Sequence, residues 1–205
     1  MYRGVLRVCV CLTVVVLSGC AASSLSPTSI ALRYHPTEQP SATPPVHTCA
    51  ALSGLKIEDA RTVKDPGQRA LQGKPDIVQP IYLTADPMPW FTQAVDLHFK
   101  RAGLLTNAAD KPSGVMKLEQ ISMAETVYVR ADYNGRVTLS LDLLSSATGR
   151  ACWSARVTGF SENAGYAGNT ENYNETLNQA LDKALIQLLS TSELSANLCG
   201  KCGSP

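Results

Sequence analysis

The residue type with the most chemistry to offer in this chain is cysteine. There are seven: Cys9, Cys11, Cys20, Cys49, Cys152, Cys199 and Cys202. Cys199-Gly200-Lys201-Cys202 has the spacing of a redox dithiol. In thiol–disulfide oxidoreductases that spacing stands at a helix N-terminus, where the helix dipole lowers a thiol pKa. Here it follows the last predicted helix, close to the carboxyl end, which favours a crosslink over catalysis. A zinc site needs a second cysteine pair or histidines at matching spacing, and His35 and His47 stand in a proline-rich stretch that offers neither. His98 is the one histidine inside the predicted fold. It lies on or beside an apolar helical stripe and reads as a half-buried residue covering the core rather than a ligand or base. Neither Gly-x-Ser-x-Gly nor His-Glu-x-x-His occurs. Glu58, Asp59, Glu119 and Glu125 fall on predicted strands that also carry Lys56 and Lys117, and read as solvated faces. Gly165-Tyr166-Ala167-Gly168-Asn169 is followed by no Lys-Ser/Thr pair, so it is not a phosphate cradle. No catalytic residue, metal ligand or non-covalent cofactor is assigned, and the expectation is that the chain is not an enzyme.

The amino terminus carries a different chemistry. Arg3 and Arg7 precede the apolar run Val8–Leu17. A membrane-spanning helix needs roughly 20 apolar residues, so this run is too short to span. A short apolar run after a basic start is the pattern of a cleaved signal. Leu17-Ser18-Gly19-Cys20 at its end resembles the lipobox of bacterial lipoproteins. The resemblance implies cleavage before Cys20 and covalent attachment of diacylglycerol and an acyl chain to Cys20. It also implies an envelope location. Ala21 follows, rather than the Asp that often signals inner-membrane retention, so the resemblance implies an outer-membrane anchor facing the periplasm. Such a compartment is oxidising, and once Cys9, Cys11 and Cys20 are set aside the remaining four cysteines, Cys49, Cys152, Cys199 and Cys202, are expected to form two disulfides. Three connectivities are open. Cys199 and Cys202 can bond each other, or each can reach back to one of the others.

Composition narrows the partners. The formal net charge is +1 with 44% apolar residues, and loss of Arg3 and Arg7 with the signal makes the remainder slightly acidic. A near-neutral chain offers no electrostatic case for nucleic acid. The length suits one domain. The expected division is a signal over 1–19, Cys20 with a Pro/Ser/Thr-rich tether over 20–48, one domain over 49–193, and a cysteine-containing tail over 194–205. A flexible tether of that length spans on the order of 30 Å. Within it, Ile30-Ala31-Leu32-Arg33-Tyr34 alternates and offers a short edge strand.

The periodicities then place the elements. Leu55–Glu58 alternates as a strand, residues 62–80 are polar and broken by Pro and Gly and read as loop, and 81–83 offer a short strand. Pro87-Met88-Pro89 opens a helix, with Phe91, Ala94, Val95, His98, Phe99 and Ala102 on one stripe and Gly103 as its stop. Three strands follow. In Val115–Arg130 the inward set shifts from Met116 and Leu118 to Ile121, Met123, Val127 and Val129, the mark of a β-bulge. Asn134-Gly135 predicts a tight hairpin. Val137, Leu139, Leu141 and Leu143 then alternate, and Gly149 ends the next turn. Trp153, Ala155 and Val157 share a face, which turns Cys152 away from the core and suggests Cys49 as its partner. Residues 160–170 read as loop. The last helix opens with Asn172 and Glu175 as a capping box, with Leu177, Leu181, Ala184, Leu185 and Leu188 inward and Asp182, Lys183 and Gln187 outward. The predicted fold is α+β: an antiparallel sheet of about four strands with two helices on one face, in the order β-α-β-β-β-α.

Laid out this way, the chain resembles the YajG-type lipoproteins. The shared features are Leu17-Ser18-Gly19-Cys20, a first strand ending Asp59-Ala60-Arg61, the helix from Pro89 to Arg101-Ala102-Gly103, and the last helix from Leu177 to Leu189. The resemblance implies no activity. The expectation is a lipid-anchored, non-enzymatic binding or scaffold domain with a protein or envelope partner. Two alternatives stand beside it. One is an accessory subunit of an envelope transport or assembly machine handling lipid or lipopolysaccharide, which predicts an apolar groove between sheet and helices. The other is a thiol redox protein using Cys199 and Cys202.

Overall fold

The computed structural model describes residues 25–37, 49–200 and Cys202. Cys20, the segment before it, His47 and most of the expected tether lie outside the described residues. The elements are β1 (Thr28–Ile30), β2 (Gly54–Asp59), β3 (Gly67–Leu71), β4 (Lys74–Leu83), α1 (Met88–Arg101), β5 (Ser113–Val127), β6 (Ala131–Leu144), β7 (Ala151–Gly165), α2 (Thr170–Leu189) and α3 (Ser192–Cys199). The class is α+β as expected, but the sheet is larger and mixed. Its order is β1-β4-β3-β5-β6-β7, with β2 paired to β5. β1 runs parallel to β4, and β2 and β3 run parallel to successive parts of β5. The β5–β6–β7 ribbon is antiparallel.

Two expected loops are strands. Residues 67–80 of the first join the expected strand at 81–83 in the β3–β4 hairpin, which turns at Gly73 with φ 73°. Its polarity hid it: Arg69, on β3, is buried against Glu125, and a buried ion pair reads as loop in a hydropathy pattern. Residues 160–165 likewise continue β7 along β6. The Asn134-Gly135 hairpin is not formed; those residues lie inside β6, and the chain turns at Tyr128-Val129-Arg130 instead. Gly135 is needed for a different reason. A Cβ there would come within 2.8 Å of Thr176 Cγ2 on α2, and one at Gly159 within 1.8 Å of the Ala180 carbonyl oxygen. The two glycines let α2 press directly on the β6–β7 backbone.

The bulge in β5 is present: the β5–β6 register shifts between Leu118 and Gln120. It carries the inward set from Met116 and Leu118 to Ile121, Met123 and Val127, all buried, whereas Val129, expected inward, lies past the end of β5 in the turn and is exposed. Against them pack Val137, Leu139, Leu141 and Leu143 of β6, Phe91, Val95 and Phe99 of α1, and Leu177, Leu181, Leu185 and Leu188 of α2. The space between sheet and helices is thus filled by apolar side chains. α1 ends at Ala102 with Gly103 beyond it at φ 66°. α2 is capped one turn earlier than expected, since the side chain of Asn169 accepts from the Glu171 N–H. That places Asn172 inside the helix.

Candidate functional site: two buried clasps on the N-terminal segment

Residues 25–37, expected as tether, pack on the domain. Beyond β1 the segment runs between α1 and α2, and three polar residues of α2 grip it. Asn174, Asn178 and Asp182 recur every four residues and so share one face of the helix. Asn174 accepts from the Arg33 N–H at 3.0 Å and donates to the Ala31 carbonyl at 3.2 Å. Asn178 donates to the Arg33 carbonyl at 3.0 Å, while its oxygen accepts from Trp90 Nε1 at 2.7 Å. These amides satisfy an extended backbone that no neighbouring strand pairs.

Asp182 closes the ladder. Its Oδ1 accepts from Tyr34 Oη at 2.7 Å and lies 3.0 Å from His98 Nε2. Its Oδ2 accepts from the Thr37 N–H at 3.0 Å and from Thr37 Oγ1 at 2.9 Å. The residue is 1% exposed. Burial pushes its carboxyl pKa up, but the hydrogen bonds from His98, Tyr34 and Thr37 outweigh burial and hold it below the usual carboxylate value. Burial, then the bond to Asp182, raises the Tyr34 phenol far above its ordinary value. A carboxylate has about four acceptor positions, and here each is engaged by the protein itself. The Asp-His-Tyr grouping therefore offers no open lone pair to a substrate and acts as a fastener.

The second clasp holds the other end of the segment. Arg69 Nε donates to Glu125 Oε2, and its Nη1 donates to the Ser26 carbonyl at 2.8 Å and to Thr28 Oγ1 at 2.9 Å. Glu125, 1% exposed, also accepts from Tyr173 Oη and from the Gly168 N–H at 2.7 Å. Gly168 has φ 70°, the left-handed conformation that glycine adopts without a steric penalty. Burial and then the bond to Glu125 raise the Tyr173 phenol strongly. The Tyr173 ring meets Tyr133 edge-on, centroids 4.9 Å apart.

These placements correct three expectations. Asp182 faces inward, not outward. Glu125 is buried in an ion pair rather than solvated, whereas Glu58, Asp59 and Glu119 do pair near the surface with Lys56, Arg61 and Arg156. His98 is buried rather than half-buried and bonded to Asp182. The signal for the ladder was present in the sequence: positions 174, 178 and 182 flank the 177, 181 and 185 stripe on a helical wheel.

The cysteines sit elsewhere. Cys49 bonds Cys199 and Cys152 bonds Cys202. Each cysteine of the Cys199–Cys202 pair thus reaches back to a distant partner, and the expected Cys49–Cys152 pairing does not form. A bulge redirects Cys152. The β6–β7 register shifts between Leu143 and Leu144, leaving Cys152 as the extra residue of β7, so alternation does not govern its direction. α3, absent from the prediction, seats Leu194 and Leu198 in the core and brings Cys199 and Cys202 to their partners. Among the described residues, no helix is long and apolar enough to cross a membrane, and no cluster of three or more His, Cys, Asp or Glu is placed to hold a metal ion.

No protein-family model and no curated protein matches the chain. Among solved structures, it is similar to protein XCC0632 from Xanthomonas campestris, of family DUF330. The TM-score is 0.53 at 14% identity, over 83% of this chain and 97% of that one. A minor lipoprotein from Acinetobacter baumannii aligns over 69% of this chain and 92% of that one at 15% identity, with a TM-score of 0.36, too low to carry an argument. What the first likeness shows is the fold: a mixed α+β domain with this arrangement of sheet and helices.

Proposed function

We propose that the chain is a bacterial envelope lipoprotein of the YajG type, anchored at the outer membrane through lipid on Cys20. Its domain faces the periplasm and serves as a non-enzymatic binding or scaffold module. Several acyl chains on one residue give a stable anchor. The observation that carries the binding half of this reading is β7. It spans Ala151–Gly165, 15 residues, at the end of the sheet, and among the described residues no strand pairs beyond it. An edge of this length can receive a further strand by backbone hydrogen bonding. The filled interior supports a partner bound at the surface rather than one taken between sheet and helices.

Two experiments test this. Mass spectrometry of the protein from membrane fractions is expected to find diacylglycerol and acyl mass on an N-terminal Cys20, and Cys20→Ala to release the protein from the membrane. A photoreactive residue in place of Phe160 on β7 is expected to give a discrete adduct in intact cells, and one in place of Val63 none. Recovery of a free monomer in both cases would remove the edge-binding reading.

A further inference from the structure

The clasps fix where the chain leaves the domain towards Cys20, and that exit point coincides with an unusual group of exposed side chains. The β5–β6 turn is Tyr128-Val129-Arg130, between paired Val127 and Ala131. Ala131 also pairs with Gly165, so Tyr166 stands one strand over at the same end. Leu71 pairs with Val127, so the turn at Gly73 is there too. Ser26 lies at this end as well. Arg69 holds its carbonyl, and the guanidinium of the same Arg69 is 3.1 Å from the Cβ position of Gly168, two residues from Tyr166. β1 runs parallel to β4, so the chain going back from Thr28 heads towards the β3–β4 turn.

Val129 is 98% exposed, Tyr166 79% and Tyr128 44%. A fully exposed valine in a tight turn, flanked by two exposed tyrosines, is an apolar and aromatic tip. Tyrosine is the side chain that bilayer interfaces favour, with its ring among the upper acyl chains and its hydroxyl at the headgroups. The surrounding charges are mixed: Arg130 and Lys74 stand exposed beside Asp76, Glu162 and Glu171, and Asp132 accepts from Tyr128 Oη at 2.7 Å. Electrostatic attraction to anionic lipid is therefore not what such a tip supplies. Phe160 and Val63 are exposed singly elsewhere and form no comparable group.

Reach decides the occupant. Cys20 stands six positions before Ser26, and six residues extend at most about 20 Å. β6, 14 residues long, measures roughly 45 Å at the usual rise. The tip therefore stays close to whatever surface holds Cys20, and the opposite end, at the 145–150 turn, does not unless the domain lies flat. Resting on the lipid anchor proposed above, we infer that the Tyr128-Val129-Tyr166 tip docks end-on into the interface of the bilayer that carries Cys20. The contact need not be strong, because the anchor supplies a high effective concentration of lipid.

The test uses the full chain purified from cell membranes and placed in phosphatidylethanolamine/phosphatidylglycerol vesicles, with and without brominated acyl chains. Tryptophan replaces Val129, Tyr166 or, at the opposite end, Ala147. Lipid on Cys20 is read by mass on the same samples. The expected result is emission lost to bromine for V129W and Y166W beyond the wild-type background, unchanged at high salt, and no added loss for A147W. Val129→Asp in the Y166W chain is expected to abolish the loss. Lipidated protein without quenching at the tip, or with equal quenching at both ends, overturns the docking while leaving the anchor standing. Cys20 without lipid overturns both.

Discussion

The two clasps hold one segment by different chemistry. At Ser26 and Thr28 the grip is a permanent cation, Arg69, paired with a buried carboxylate that also serves Tyr173 and Gly168. At Tyr34 and Thr37 it is a carboxylate, Asp182, collecting neutral donors and an imidazole. Truncating the cation leaves a buried anion with no counter-charge. Truncating Asp182 leaves hydroxyl and amide donors and the His98 imidazole, with no fixed charge stranded. The clasp nearer Cys20 is thus the one that fails catastrophically, and the farther one is the one that can be loosened.

Variants can break or sharpen that contrast. Arg69→Ala is expected to lose about 3–5 kcal/mol in chemical denaturation, the usual consequence of stranding a buried charge, and Arg69→Met with Glu125→Leu to recover part of it. Opening the longer disulfide, Cys49–Cys199, is expected to cost about 2–5 kcal/mol. Its sequence separation of 150 against 50 for Cys152–Cys202 makes it the costlier of the two by about 1 kcal/mol on the chain-entropy model. Asp182→Ala should cost about 1–3 kcal/mol, with faster hydrogen exchange confined to residues 31–37. A global rise in exchange would make the clasps equivalent. Acid should act on the second clasp in the same direction. The folded state holds Asp182 below its ordinary pKa, so its contribution is complete above about pH 4, the unfolded value. It is lost as pH falls through the lower folded value. Denaturation between pH 5 and 2 should show a smaller loss in Asp182→Asn than in wild type. Smallest of all, Arg156→Ala on the outer face, whose side chain is 66% exposed beside Glu119, should cost less than about 1 kcal/mol.

The apolar half of this architecture was legible in the sequence. The α1 and α2 stripes, the β6 alternation, the β5 bulge, Gly103 and the turn at Gly149 all follow from periods of 3.6 and 2 with their breakers. The spacing of 174, 178 and 182 marks a polar row on α2, but the buried charges of the clasps were not legible, because hydropathy treats Arg69, Glu125 and Asp182 as surface residues, and only their three-dimensional partners make burial affordable. Asn134-Gly135 misled for a related reason. Its glycine answers to a helix crossing above it, contributed by residues some forty positions later, and no local pattern carries that information. Cys152 was lost to a bulge that one strand's alternation does not reveal.

Each disulfide joins an earlier cysteine to one member of the Cys199–Cys202 pair. For a polypeptide delivered amino end first into an oxidant, Cys49 and then Cys152 emerge before Cys199 and Cys202. The pair that meets first is therefore the wrong pair. Native crosslinking has to wait until Cys199 and Cys202 are delivered or proceed by thiolate attack on a premature Cys49–Cys152 bond. Maturation of this fold is then timed by the arrival of Cys199 and Cys202, and a truncation that spares every strand while removing these two would leave Cys49 and Cys152 without their proper partners.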